Sequence, residues 1–339
     1  MRYALLALLI ICMGLAAPAA ALKLPGSDVT IVTASGQKQV VYKELHALVV
    51  GAGDYKSYPA SPGAVAEARE VADTLKFFGL RMGYQVTFLE NPTSSQLRKA
   101  LKQLTVVDGA RPDRALLFYY AGRTATLTDS DGKKVSYILP IDCPLHYKNA
   151  KGFSAKALSL AEIENLASQA KAGQFLLLFD ANITSSGLKF IKPAPRPITE
   201  ESARPIRQYI FAGSPGSVSP PKSVFKDKFL EAIKGGADIN GDKMMTGLEL
   251  GLFMQAKVSQ ATSGMQVPVF GLAGQAGLAR GDFLYKIFNP IDFDDLPRPK
   301  LGGAGQDASL ARKAASQAEG GAQSGSSAGT TSGATSSTA

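Results

Sequence analysis

Cysteine and histidine are nearly missing from this chain, with two of each in 339 residues. Cys12 falls inside an N-terminal apolar stretch that export would remove, which leaves Cys143 alone. A lone cysteine excludes an internal disulfide, so stability has to come from a buried core. Long apolar runs are missing too. After the first stretch none approaches the roughly 20 residues that cross a bilayer. Charge is present but dispersed: the net charge is +9, yet no block of Lys and Arg interleaves with aromatics. That excludes a nucleic-acid footprint and leaves an ordinary solvated basic surface.

What is there begins with an export signal over residues 1–21. Met1-Arg2 gives a positive start, Ala4 to Leu15 is apolar but short, and Ala19-Ala20-Ala21 offers small residues for cleavage before Leu22. Ile11 ahead of Cys12 fits a lipid-anchor site poorly. The expected location is periplasmic or secreted. The remaining chain is long enough for one large domain or two small ones.

Strands and helices then alternate. Asp28 to Tyr42 reads as a hairpin about Ser35-Gly36-Gln37, within an N-terminal segment 22–45 that would cover one edge of the domain. His46 to Gly53, HALVVGAG, reads as a first buried strand, with His46 at the end away from any site. Gly51 and Gly53 suit a tight turn, and no third glycine follows at nucleotide-binding spacing. A helix is expected from Ser61-Pro62, capped by Ser61 and stopped by Gly79. Tyr84 to Leu89 is a second strand, and Thr93 or Ser94 caps a second helix. Arg114 to Tyr120 is a third strand, Lys134 to Ile141 a short one, and Ser159-x-x-Glu162 a capping box. Tyr209 to Ser214 and an amphipathic helix over Val224 to Ile233 follow. The fold class is α/β with a mostly parallel, covered sheet.

The stretch around which the rest is arranged is Phe175 to Ser186, FLLLFDANITSS. Five apolar residues end abruptly at Asp180, the form of a buried parallel strand that opens into a loop. Ala115 to Tyr120 ends the same way, in Ala121-Gly122-Arg123-Thr124. Sites of open α/β sheets lie at such strand ends.

These phrases resemble the caspase-like peptidase family, in particular its bacterial metacaspase-type members. HALVVGAGDY, FYYAG, LLLFDA, ARPIRQYIFAGS, ADINGDKMMTGLELGLF, VPVFG and RGDFLY all match its pattern in order, from His46 to about Phe288. The resemblance implies a caspase-like three-layer sandwich over 46–289 and cysteine endopeptidase chemistry. It also puts Arg123 where the family has its catalytic histidine, Thr124 where it has a glycine, and Asn182 where it has its cysteine. Their separation, 182 minus 123 or 59 residues, keeps the caspase frame of roughly 50.

Those identities oppose peptide cleavage. Arginine stays protonated and cannot act as a general base, and an amide is a very poor nucleophile beside a thiolate. Cys143 and His146 form a relocated dyad on one reading and are ordinary loop residues on the plainer, preferred one. The resemblance assigns Asp180 to recognition of a basic side chain. Arg123, Asp180 and Asn182 are therefore binding candidates, with an internal Arg123–Asp180 ion pair expected to fill the pocket.

Asp238, Asn240, Asp242, Met244, Thr246 and Glu249 stand at the ligand positions of a calcium loop over 238–249. Lys243 occupies the place of its glycine, so calcium is an optional ligand, no cofactor is required, and a plain turn before a helix is the alternative. From 290 to 339 the chain is a Pro-punctuated linker and a Gly/Ala/Ser/Thr tail, expected to be disordered. The function expected is an exported pseudopeptidase that binds a protein or peptide, with self-association or pairing with an active relative as the partner expectations. The alternatives are a cysteine-type endopeptidase with non-standard residues and a calcium-responsive module.

Overall fold

Alternation along the strands decides how this domain is layered. In the computed structural model, residues 27–183, 185, 187–215 and 220–287 are described. The expected signal and tail lie outside them. A hairpin, β1 (Val29–Val32) and β2 (Lys38–Tyr42), precedes β3 (Glu44–Gly51), α1 (Pro62–Met82), β4 (Gln85–Glu90), α2 (Ser94–Lys102) and β5 (Arg114–Ala121). Then come β6 (Thr124–Thr128), β7 (Lys134–Ile138), α3 (Ala150–Lys156), β8 (Leu158–Ser159), α4 (Leu160–Gln169) and β9 (Gln174–Asn182). The chain continues through β10 (Leu188–Phe190), β11 (Ile206–Gly213), α5 (Val224–Glu231), β12 (Met244–Thr246), α6 (Gly247–Ala261), β13 (Val269–Ala273) and β14 (Leu284–Lys286).

Among the described residues the central sheet has seven strands in the order β10-β13-β11-β9-β5-β3-β4. β4, β3, β5, β9 and β11 run parallel. β13 is antiparallel to β11 and β10 antiparallel to β13, so the sheet is mixed. On β5 and β9, Leu117, Tyr119, Leu176 and Leu178 face a core with α1, α5 and α6. Their neighbours Phe118, Tyr120, Phe175, Leu177 and Phe179 face a second core with α2 and α4. Burial on both faces is what a parallel sheet between helix layers requires. Each fully buried Leu or Phe contributes about 1.5–3 kcal/mol.

Two local expectations need correction. Gly79 does not stop α1, which continues to a left-handed cap at Gly83. Gly79 is small for packing: a Cβ there would stand 2.8 Å from Tyr84 Cβ. Ser61 does not cap α1 with its side chain, although Pro62 takes the first turn as expected. The β1–β2 hairpin forms as expected, as a two-stranded sheet of its own. Of the two cap candidates for α2, Thr93 makes a full capping box with Gln96.

Buried polar side chains close the end of the sheet away from the expected site. Gln174 accepts from Leu284 N at 2.9 Å and donates to Asp282 O at 2.7 Å. Gln208 accepts from Phe283 N at 2.8 Å and donates to Asp282 Oδ1 at 2.7 Å. Tyr42 Oη donates to Leu284 O at 2.7 Å. Arg207, 1% exposed, donates to the carbonyls of Ala167, Ala170, Gly173 and Ile206. Burial pushes its pKa down to about 10.

Candidate functional site

The C-terminal ends of β5 and β9 lie side by side, Ala121 paired with Asp180. Arg123 follows β5 after one glycine, and Asn182 is the last residue of β9. Both line one cleft of about 560 Å³, together with Asp180, Glu67, Ser223 and the first residues of α1. The structure thus brings the three binding candidates into one cavity.

Arg123 is held by its surroundings. Its N–H donates to Tyr55 Oη at 2.6 Å, and Tyr120 Oη donates to its carbonyl at 2.8 Å. Its side-chain Nε donates to Pro59 O at 2.7 Å and Nη2 to Ala60 O at 3.3 Å. The guanidinium carbon sits 6.0 Å from the Tyr55 ring centroid. The carbonyls of the β3–α1 loop therefore take up part of the guanidinium fork. The loop approaches closely because Gly53 permits it: a Cβ there would be 2.6 Å from Ser61 O.

The expected Arg123–Asp180 ion pair does not form. The parity of β9 puts Asp180 on the same face as Leu176 and Leu178, against α5. There Tyr119 Oη donates to Asp180 Oδ2 at 3.0 Å and Ser223 Oγ donates to the same oxygen at 2.5 Å. Burial raises the Asp180 carboxyl to about 6, against the opposing pull of those two hydroxyls, with the Glu67 charge pushing the same way as burial. Ser223 also caps α5, accepting from Lys226 N at 2.8 Å, and its own N–H donates to Glu67 Oε1 at 2.8 Å. Lys226 is nearly buried between Glu70 and Asp227, each 2.6 Å away. Sequence reasoning missed Glu67, Ser223 and Gln266 in this cleft. Ser223, directly ahead of an amphipathic helix, carried a legible capping signal. Glu67 and Gln266 carried none.

Cys143 is completely buried, and its Sγ donates to Pro144 O at 3.6 Å. Burial and the neighbouring Asp142 charge push the thiol up to about 11. The His146 ring packs edge-on against Phe153 at 5.2 Å. No hydrogen bond joins His146 to Cys143 among the described residues. A thiol so protonated, without an imidazole on it, is not prepared for attack. His46 lies at the far end of β3 between Glu44, 3.3 Å away, and Asp108, 3.8 Å away.

In the 238–249 loop, Asp238 Oδ1 accepts from Gly241 N at 2.9 Å and Asp242 N at 3.2 Å. Its Oδ2 accepts from Lys243 N at 3.0 Å. Lys243 adopts the left-handed φ of +64° that the loop's glycine position demands. Thr246 and Glu249 form a reciprocal capping box at the start of α6, which directs the Glu249 carboxylate to Thr246 N at 2.9 Å. Burial first, then the Asp242 and Asp238 charges, raise the pKa of Glu249. Among the described residues no group of three or more His, Cys, Asp or Glu side chains is gathered so as to hold a metal ion. The backbone fits a calcium loop; the carboxylates are turned to their own chain.

Among known proteins, the family model of the caspase domain, peptidase family C14, matches residues 44–273. No curated protein matches the chain. A crystal structure of a Geobacter sulfurreducens protein superposes with a TM-score of 0.45 at 14% identity, over 73% of this chain and 100% of that one. Among the described residues no helix is long and apolar enough to cross a membrane.

Proposed function

This chain belongs to the caspase-domain family of peptidases, and on that premise we propose that it is an exported pseudopeptidase that binds a peptide or protein segment without cutting it. One observation carries the reading. The strand ends that line the cleft offer Arg123 and Asn182, where the resemblance puts a histidine and a cysteine. A guanidinium cannot take a proton at neutral pH, and an amide cannot attack a carbonyl usefully. The groups that remain are made for binding: a carboxylate pair, Asp180 and Glu67, and hydrogen-bonding side chains in a concave site. The apolar start of the chain and its small-residue cleavage site support export.

The test is a peptidase assay on fluorogenic peptides ending in Arg, Lys or Asp. The natural protein is compared with a variant carrying Arg123→His, Thr124→Gly and Asn182→Cys. Cleavage by the restored variant alone is the expected result. Cleavage by the natural protein that Cys143→Ala abolishes would overturn the reading.

A second reading concerns the 238–249 loop, and the left-handed Lys243 with the N–H groups gathered on Asp238 favours it. We propose that the loop takes calcium weakly, through Asp238, Asn240, Asp242, Glu249 and the Met244 carbonyl, with Thr246 at the position often served through water. Calcium is expected to raise the melting temperature of the natural protein and not of Glu249→Gln, which keeps the capping box. Equal shifts in both proteins would dismiss it.

A further inference from the structure

A second cavity lies on the α4 side of the sheet, beside the N-terminal half of β11 and away from the cleft at the ends of β5 and β9. It holds about 300 Å³, the lower end of what encloses a small molecule. Glu164 and Ser168 of α4 form one wall, and Arg207 and Tyr209 of β11, Leu188 of β10 and Ala273 of β13 form the others. These walls come together because β10 pairs with β13, Leu188 opposite Ala273, and β13 runs beside β11. Two glycines let the chain close in. A Cβ on Gly274 would stand 2.5 Å from Gly187 O, and one on Gly187 would overlap the Glu164 carboxylate. The mouth is at Asn165 and Gln275, both exposed.

Glu164 is the group in this cavity that lacks a match. Its Oε1 is buried and has no hydrogen-bond partner. Burial raises its pKa, against the pull of the Ser185 hydroxyl and the Lys133 charge. Arg207, the cation in the wall, does not serve it: the guanidinium donates to the carbonyls of Ala167, Ala170, Gly173 and Ile206. An acceptor so buried is costly to leave unmet. Tyr209, 1% exposed, lines the same space. Burial first, then the Glu164 charge, raise the pKa of its hydroxyl. That hydroxyl makes no hydrogen bond among the described residues, and a phenol oxygen can accept one from a cation. Ala161, Leu188, Ala273 and Leu278 give the lining an aliphatic part. A charged acceptor, a neutral acceptor and an aliphatic wall select a donor-rich cation on a hydrocarbon stem. An anion would meet the Glu164 charge. A metal ion would find a single carboxylate, since no group of three or more ligating side chains is gathered among the described residues.

We propose that this cavity binds a primary alkyl ammonium group. Its N–H groups meet Glu164 Oε1 and Tyr209 Oη, and its stem lies along Leu188, Ala273 and Leu278. A free alkylamine and the lysine side chain of a partner protein share this chemistry. The site stands apart from the cleft, so it neither needs the pseudopeptidase reading nor falls with it.

The test follows the melting temperature of the purified protein as ligand is added, which gives an apparent affinity. Pentylamine is compared with pentanol, which keeps the stem and lacks the charge, and with pentyltrimethylammonium, which keeps the charge and lacks the N–H donors. Pentylamine is expected to bind about tenfold or more tighter than either, the scale of one charge-assisted hydrogen bond. Glu164→Gln should erase that advantage, and Tyr209→Phe should weaken pentylamine binding about fivefold. Ala161→Leu narrows the cavity from α4, leaves Glu164 in place and should also lower the affinity; it carries the test if Glu164→Gln does not fold. Nα-acetyl-lysine N-methylamide is the last arm. Its binding alongside pentylamine supports the inference with a lysine side chain as the source, and binding of pentylamine alone supports it with a free amine. No response to pentylamine, an equal response to either control, or undiminished binding by Glu164→Gln would each overturn it.

Discussion

Ser223 Oγ donates to Asp180 Oδ2 at 2.5 Å, and that bond ties the end of β9 to the first turn of α5. One hydroxyl both caps a helix and orients the acid at the floor of the cleft. Ser223→Ala removes both at once. It is expected to cost about 1–2 kcal/mol by denaturant melting. Unchanged stability would mean that the cap is idle.

Asp180 makes stability fall as pH rises. Its folded pKa is about 6, against an ordinary 3.8. Between those values the folded state holds a proton that the unfolded chain has released, so the stability of the folded form drops across that window and levels above it. The drop is of the order of 3 kcal/mol at most. Asp282, also pushed up to about 6 by burial, acts in the same direction. Asp180→Asn should flatten the decline between pH 4 and 6 in urea midpoints, and an unaltered slope would refute it.

Gly79→Ala sets helix propensity against packing. In an open helix the change gains about 1 kcal/mol. Here the added carbon meets Tyr84 Cβ at 2.8 Å, an atom anchored to the backbone. Overpacking of that kind costs about 1–3 kcal/mol, so the net effect should be destabilising. A raised melting temperature would show that the α1–β4 turn yields.

Cys143 should resist a thiol reagent in the native protein and react at once in denaturant. A pKa of about 11 against 9 leaves about a hundredfold less thiolate at neutral pH, and the sulfur is wholly buried. Equal rates in the two states would contradict that burial.

Arg207→Lys should destabilise the protein by about 2–4 kcal/mol. A guanidinium reaches four carbonyls with a planar fork, and a single ammonium does not. Chemical denaturation measures it. A loss under 1 kcal/mol would mean that water replaces the fork.

The layers were legible because β3, β5 and β9 are apolar on both faces, which only a covered parallel sheet explains. β10, at three residues, is too short to carry a pattern, and nothing in VPVFG gives the direction of β13. The positions at the cleft were legible from where apolar runs stop; their partners were not. Parity on β9 already sets Asp180 with Leu178, so its partners come from α5 and β5. Arg123 stands beyond the end of β5, where no period operates, and it meets carbonyls of Pro59 and Ala60. Backbone oxygens leave no mark in a pattern of side chains. Gln266 follows a turn with left-handed Ser263 and Gly264, and tertiary packing alone brings it to α1.

The Gln174, Gln208 and Tyr42 side chains all wait for Phe283 and Leu284, partners 75 to 242 residues away along the chain. During synthesis, that end of the sheet lacks these partners until Phe283 and Leu284 have emerged. A ribosome that stops early releases a chain whose buried amides have nothing to hold, and a contact of such range forms slowly even when the chain is whole.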